Sequence, residues 1–305
     1  MPAWPTLFPA LAAALLAGSF FLPLGMALTA ACALALVGAV IAAVHHAEVV
    51  AHRVGEPFGT LVLAVAITVI EVALIVSMML AGGPDAATLP RDTIYAAVMI
   101  ICTGVVGICL LAGGLSHHAQ SFQLAGTSPA LSALVALAGL SLVLPTFTTS
   151  SAVGTYTVSQ LAFVAVSSLA LWAIFVFVQT VRHRDYFLPL AATADEAAHA
   201  APPTGAQAAA SFGLLLLALV AVVGLAKRLS PAIEGAVAAA GSPKAVIGIA
   251  IALLVLLPET WAAVRAALAD RLQTSMNLAL GSALASIGLT IPAVVVTATL
   301  LDLPL

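Results

Sequence analysis

Apolar stretches of about 20 residues recur along this chain from Trp4 to Leu301, each long enough to cross the hydrocarbon core of a bilayer as one α-helix. Breaking them at Pro, Gly and charged clusters predicts nine spans, at about 4–23, 25–44, 57–81, 92–114, 129–145, 158–181, 209–226, 244–268 and 276–301. Runs such as Leu61 to Leu80 and Leu131 to Leu144 are apolar on every face. A transmembrane barrel would instead show alternating segments of about ten residues. Of 305 residues, 63% are hydrophobic and 7% charged, where a soluble domain carries about a quarter charged residues. The expected fold class is an all-α membrane protein, a polytopic helical bundle of about nine spans.

The few charges limit the partners. A net charge of −3 spread this thinly makes no steering field, and nucleic acid is excluded as a ligand. The first Lys or Arg is Arg53, so the N-terminus lacks the charged n-region of a cleavable signal peptide, and span 1–24 is expected to stay as an extra N-terminal helix. Cys32, Cys102 and Cys109 sit inside apolar segments without metal spacing and read as small apolar residues. Only 182–208 is a long polar interval; it divides a first transmembrane half, 25–181, from a second, 209–305. Arg53, Arg182, Arg184, Arg265 and Arg271 fall on one side against Arg91, Lys227, Arg228 and Lys244 on the other. That vote puts the N-terminus and the linker in the cytoplasm of an inner-membrane protein.

Two carboxylates break the apolar pattern. Glu71 lies in Val65-Ala-Ile-Thr-Val-Ile-Glu71-Val-Ala-Leu-Ile75, and Glu259 in Leu253-Leu-Val-Leu-Leu-Pro258-Glu259-Thr260-Trp261. At about 1.5 Å per residue, each stands roughly 20 Å into its helix, near mid-bilayer. A charge at that depth costs about 2.5–3.5 kcal/mol on insertion scales, so it is expected to face a cavity, a cation or a proton. The two helices are five spans apart and run in opposite directions, as an inverted-topology repeat requires. Thr60 and Thr68 near the Glu71 face, and Thr260 beside Glu259, supply the oxygen that hard cations take. Pro258 donates no N–H, which frees the Leu254 carbonyl one turn earlier. The competing reading is a pair of protonated glutamates that only lock the bundle. In the last span Asn277, Gly281, Ala285 and Gly288 form a small-residue stripe with Ser282 and Ser286 beside it; such a stripe packs helices closely, and its polar members can also ligate an ion.

The segment from Leu257-Pro-Glu259 through Arg271-Leu-Gln-Thr-Ser-Met-Asn277-Leu-Ala-Leu-Gly281-Ser-Ala-Leu-Ala-Ser286 to Pro292 closely resembles the second α-repeat of bacterial ChaA-type calcium/sodium–proton antiporters, of the cation/Ca²⁺ exchanger superfamily. His45-His-Ala-Glu48 through Gly59-Thr60, followed by Glu71, looks like the first repeat of the same branch. The resemblance implies inverted α-repeats at about 45–114 and 244–301. It implies Glu71 and Glu259 as the shared cation and proton carboxylates, with Asn277 and Ser282 as auxiliary ligands. Its mechanism is alternating access: no resident cofactor, with Ca²⁺, Na⁺ or K⁺ and H⁺ as cargo. In the helix after Glu71 this sequence has Cys102-Thr103-Gly104, Thr103 standing where the branch places Asn. The family also continues for two helices beyond its second repeat, whereas this chain stops at Leu305, so the fold is expected to lack them. A bundle so shortened would need another subunit, a homo-oligomer included, to cover it; an inactive exchanger or a non-transporting assembly partner is the rival reading.

Other polar clusters are less specific. His45, His46, Glu48 and His52 lie at turn spacing but not as His-Glu-x-x-His. They read as an interfacial helix end, with pH sensing by His45, His46 and His52 as the alternative. His117 and His118 are expected at the same interface. Asp195 and Glu196 are too few for a Ca²⁺ site, and their linker reads as a disordered connector. Neither a catalytic dyad nor a metal motif is present to support an enzyme.

Overall fold

The computed structural model describes residues 4–23, 25–55, 58–152, 154–188 and 203–301. Helix α1 is Trp4–Phe21, α2 Met26–Val54 and α3 Phe58–Gly82. Helix α4, Leu89–Met99, runs through a π-helical stretch, Ile100–Val105, into α5, Val106–His117. Then follow α6 Leu124–Ala138, α7 Val158–Phe177, α8 Gly205–Ala239, α9 Ala245–Leu268, α10 Leu272–Gly288 and α11 Thr290–Leu300. Among the described residues, nine helical segments are long and apolar enough to cross a membrane. They coincide with the nine predicted spans, with differences at the ends. Helix α2 continues to Val54 and α8 to Ala239, past Pro231 and Glu234. Hydropathy marks where a helix leaves lipid, whereas hydrogen bonding continues until a cap or breaker stops it. Asp195 and Glu196 of the linker lie outside the described residues.

Local sequence explains several boundaries. Thr157-Val-Ser-Gln160 and Thr204-Gly-Ala-Gln207 are capping boxes: each Thr hydroxyl accepts from the Gln amide N–H and each Gln side chain accepts from the Thr amide. Two orphan donors are thereby paired at the starts of α7 and α8. Helix α9 ends in a Schellman turn, with Arg271 N–H on Ala266 O at 2.9 Å and Asp270 N–H on Ala267 O at 3.2 Å. Asp270 sits at φ 57°, in the left-handed position usually given to Gly.

The chain forms two compact units, 1–93 with 200–255 and 94–199 with 256–300, plus a few terminal residues. In the first, α2 packs on α1, α3 and α8, and α8 also packs on α1 and α3. Ala39, Val40, Ala43, Ile75, Val222 and Leu225 are fully buried there. In the second, α10 packs on α5, α6 and α7, and α11 on α7. The small-residue stripe on α10 acts at one end: a methyl group at Gly288 would overlap the Trp172 side chain, whereas Gly281 has no atom within 4 Å of that position.

The second unit also contains π-helical turns that hydropathy does not reveal, at Ile100–Val105, Gly139–Val143 and Val178–Arg182. A π turn slips the hydrogen-bond register and loosens its carbonyls from the ladder. At the second of these, the hydroxyls of Tyr95 and Tyr156 donate to the carbonyls of Leu142 and Leu140. Burial pushes the Tyr156 phenol up, which keeps it a donor.

Candidate ion-translocation site

Glu71 stands 13 residues into the 25-residue α3 and is 2% exposed, flanked by Ile70 at 0% and Leu74 at 2%. Helix α3 is held from both sides, by α2 and by α8, where the Ser77 hydroxyl donates to the Val223 carbonyl at 2.9 Å. Thr68, one turn before Glu71, is also buried and donates its hydroxyl to Ala64 O at 2.8 Å. Its oxygen lone pairs stay available to a cation. The side chain of Thr60 lies outside the described residues.

Glu259 stands 14 residues into the 24-residue α9 and is half-buried in the second unit. The helix continues across Pro258. Proline removes the N–H that would have met the Leu254 carbonyl, leaving an acceptor a turn from the carboxylate. The far end of α9 is capped by side chains from the last residue of α5 and just beyond it. The imidazole Nε2 of His117 donates to Leu268 O at 2.8 Å, and Gln120 Nε2 donates to Ala267 O at 2.8 Å and to Asp270 Oδ1 at 3.0 Å. His117 therefore serves a helix terminus, a more definite role than interfacial placement.

Asn277 lies five residues into α10, half-buried. Its Oδ1 accepts from Gln273 Nε2 at 2.9 Å, and its Nδ2 donates to Phe187 O at 2.6 Å. Gln273, 2% exposed, accepts the Gln123 N–H at 2.6 Å, while Gln123 Nε2 donates to Leu188 O at 2.7 Å. Asn277 is thus joined to an amide chain that ties α10 and α6 to the residues opening the linker. The i, i+4 spacing of Gln273 and Asn277 is visible in sequence, but Gln123, 150 residues from Gln273, is not. Ser282 is half-buried one turn further along α10. Thr103 is exposed on the π-helical stretch, its hydroxyl on Met99 O at 2.6 Å, next to Gly104, which has open space where a side chain would be. The structure thus joins Asn277 with Gln273 and places Thr68 one turn from Glu71; Glu259 on α9, Ser282 on α10 and Thr103 on the π-helical stretch belong to the second unit.

Of the candidate pH-sensing residues, His45 and His46 meet the N-terminus of α1, with the Trp4 and His45 rings 5.1 Å apart. His52 is exposed at the end of α2. Among the described residues no group of three or more His, Cys, Asp or Glu side chains is arranged to hold a metal ion.

Nine apolar helical segments long enough to span among the described residues, two of them with a glutamate midway along, define a multi-pass membrane protein. The sodium/calcium exchanger protein family matches residues 24–181 and 210–304, and the chain belongs to that family. Its members are transporters and not enzymes. The protein y4hA of Sinorhizobium fredii (strain NBRC 101917 / NGR234) is 51% identical over 263 residues, covering 85% of this chain and 70% of its own. The sodium-potassium/proton antiporter ChaA of Escherichia coli (strain K12) is 34% identical over 297 residues, covering 96% and 80%. In fold the chain is similar to native YfkE, with a TM-score of 0.73 at 16% identity over 99% of this chain and 84% of that one. It is also similar to the H⁺/Ca²⁺ exchanger CAX, at 0.71 and 17% over 97% and 74%.

Proposed function

We propose that this chain is a secondary antiporter of the inner membrane that exchanges Ca²⁺, Na⁺ or K⁺ for H⁺ by alternating access, with Glu71 and Glu259 as the carboxylates that carry cation and proton. The observation that carries the reading is the burial of Glu71, 2% exposed at the middle of a spanning helix, in a member of the exchanger family. Glu259 stands at the matching depth of α9. Helix α3 forms the third span and α9 the eighth, so the two run in opposite directions, which supports inverted repeats at about 45–114 and 244–301. The first transmembrane half is then 25–181, preceded by the extra span 1–24; the linker 182–208 is cytoplasmic, and the second half is 209–305. The relatives named for exchanging sodium, potassium or calcium against protons support the choice of cargo.

A carboxylate at this depth is tolerated when neutralised, and a proton and a cation both neutralise it. Binding one excludes the other, and that exclusion is the coupling. Thr68, Thr103, Asn277 and Ser282 are the auxiliary oxygen donors in this reading. Asn277 reaches an ion by exchanging its bond to Phe187 for one to the cargo.

Proton-driven ⁴⁵Ca²⁺ and ²²Na⁺ flux in everted membrane vesicles tests the proposal. Flux in the parent, reduced at least about a hundredfold in E71Q and in E259Q, is the expected result, each removing a group acting in the rate-limiting exchange. Both neutral variants transporting like the parent would end the carboxylate mechanism. A silent parent would favour the non-transporting assembly partner.

A further inference from the structure

Helix α1 precedes the part of the chain that the exchanger family matches, yet it is tightly fitted to the first unit. Phe8 rests against Gly38 of α2 and Leu16 against Gly224 of α8. At its C-terminal end, Arg228 of α8 donates to the Ser19 carbonyl and stands 5.3 Å over the Phe20 ring. A cation there complements the helix dipole. Its N-terminal end is held differently. Inside an α-helix the Pro5 carbonyl pairs with the N–H of residue 9, and residue 9 is Pro. The vacated acceptor is met by His46 of α2, whose Nε2 lies 2.9 Å from Pro5 O.

The chemistry of that contact defines the state of the ring. A carbonyl only accepts, so Nε2 carries a proton. His46 is 3% exposed, and among the described residues its Nδ1 has no hydrogen-bond partner. One proton therefore satisfies the contact. A second would create a buried N–H with no acceptor, and a buried charge with no ion-pair partner, among the described residues. The surroundings offer little compensation. Helix α1 has no charged or titratable side chain from Trp4 to Phe21. On α2 the neighbouring ring is His45, centroid at 5.5 Å, and Glu48, His52 and Arg53 lie further along, exposed. Helix α8 carries Lys227, Arg228 and Glu234, all in its second half, and α3 carries Glu71.

We propose that His46 is a proton-released clasp: in its neutral form it docks the N-terminal half of α1 on α2, and on protonation it lets that half go while Arg228 retains the other end. Docked α1 braces α2 and α8, the two helices that hold α3 and Glu71. Release therefore slows exchange at low pH, a consequence that rests on the antiport reading, whereas the docking itself does not.

Electron–electron resonance distances in lipid nanodiscs, with both faces at the same pH, test the clasp. Spin labels are placed at L7C on α1 and L217C on α8, both exposed positions, with Cys32, Cys102 and Cys109 replaced by Ala. Between pH 8 and pH 5 the longer-distance population of the parent is expected to rise at least about fivefold. H46Q, which keeps an N–H donor and does not titrate, stays docked at both pH values. H46L, with no donor, populates the longer distance at both. A parent unmoved by pH, a pH response retained in H46Q, or an H46L that remains docked each overturns the clasp. None of these outcomes bears on E71Q or E259Q flux, so the two proposals fail separately.

Discussion

A proline inside a helix deletes one donor, and what happens to the carbonyl four residues earlier decides whether the helix stands alone. At Pro9 the acceptor is met from a neighbouring helix by His46; at Pro258 the freed carbonyl is that of Leu254, a turn before Glu259 in α9. The first predicts a mutational rescue. H46L orphans a buried carbonyl and is expected to cost about 1–3 kcal/mol, and adding P9A returns an intrahelical donor and recovers most of it. Reversible SDS unfolding of the parent, single and double variants measures this. Tyr95 and Tyr156 do the same service at a π turn, so Y95F and Y156F are each expected to lower stability by about 1 kcal/mol in that assay. That Pro9 frees an acceptor is legible in the chain. That His46, 41 residues away, answers it is not, because a hydrogen bond between helices depends on their rotation and height, which a linear pattern leaves open.

At the scale of the element, hydropathy found each of the spans present among the described residues, because lipid exposure and helix length act along one dimension. The two Thr-x-x-Gln capping boxes are equally local. The π turns escaped, since slipping a hydrogen bond by one residue changes no side chain's polarity. The small-residue stripe on α10 was legible as a stripe but not as a contact: Gly288 receives Trp172, and Gly281 faces open space. G288A is therefore expected to destabilise by about 1–3 kcal/mol through overpacking. G281A is expected to be neutral or stabilising by up to about 1 kcal/mol, since alanine suits a helix better. Thermal unfolding of the purified variants in detergent separates them, and an equal loss in both would contradict the packing.

For the whole molecule, competition between proton and cation at carboxylates has a definite sign. In the proposed mechanism a proton on Glu71 or Glu259 excludes the cation, so flux is expected to fall on the acid side. Raising external Ca²⁺ is expected to move that acid limb to lower pH, by about one unit per tenfold where one proton is exchanged per site. Flux measured at several Ca²⁺ concentrations checks this, and an acid limb indifferent to Ca²⁺ would place the titrating group outside the carboxylates.

The sequence by itself determined the class, the nine spans found among the described residues, and how far along its helix each glutamate stands. Each of these follows from burial cost and chain length counted along one axis. The tertiary structure alone decided which side chains answer which orphaned groups: Gln123 on Gln273, Gln273 on Asn277, Gln120 on the end of α9, His46 on Pro5. In an apolar interior a stray donor or acceptor is costly wherever it lies. The partner that relieves it is set by which helices come to pack together.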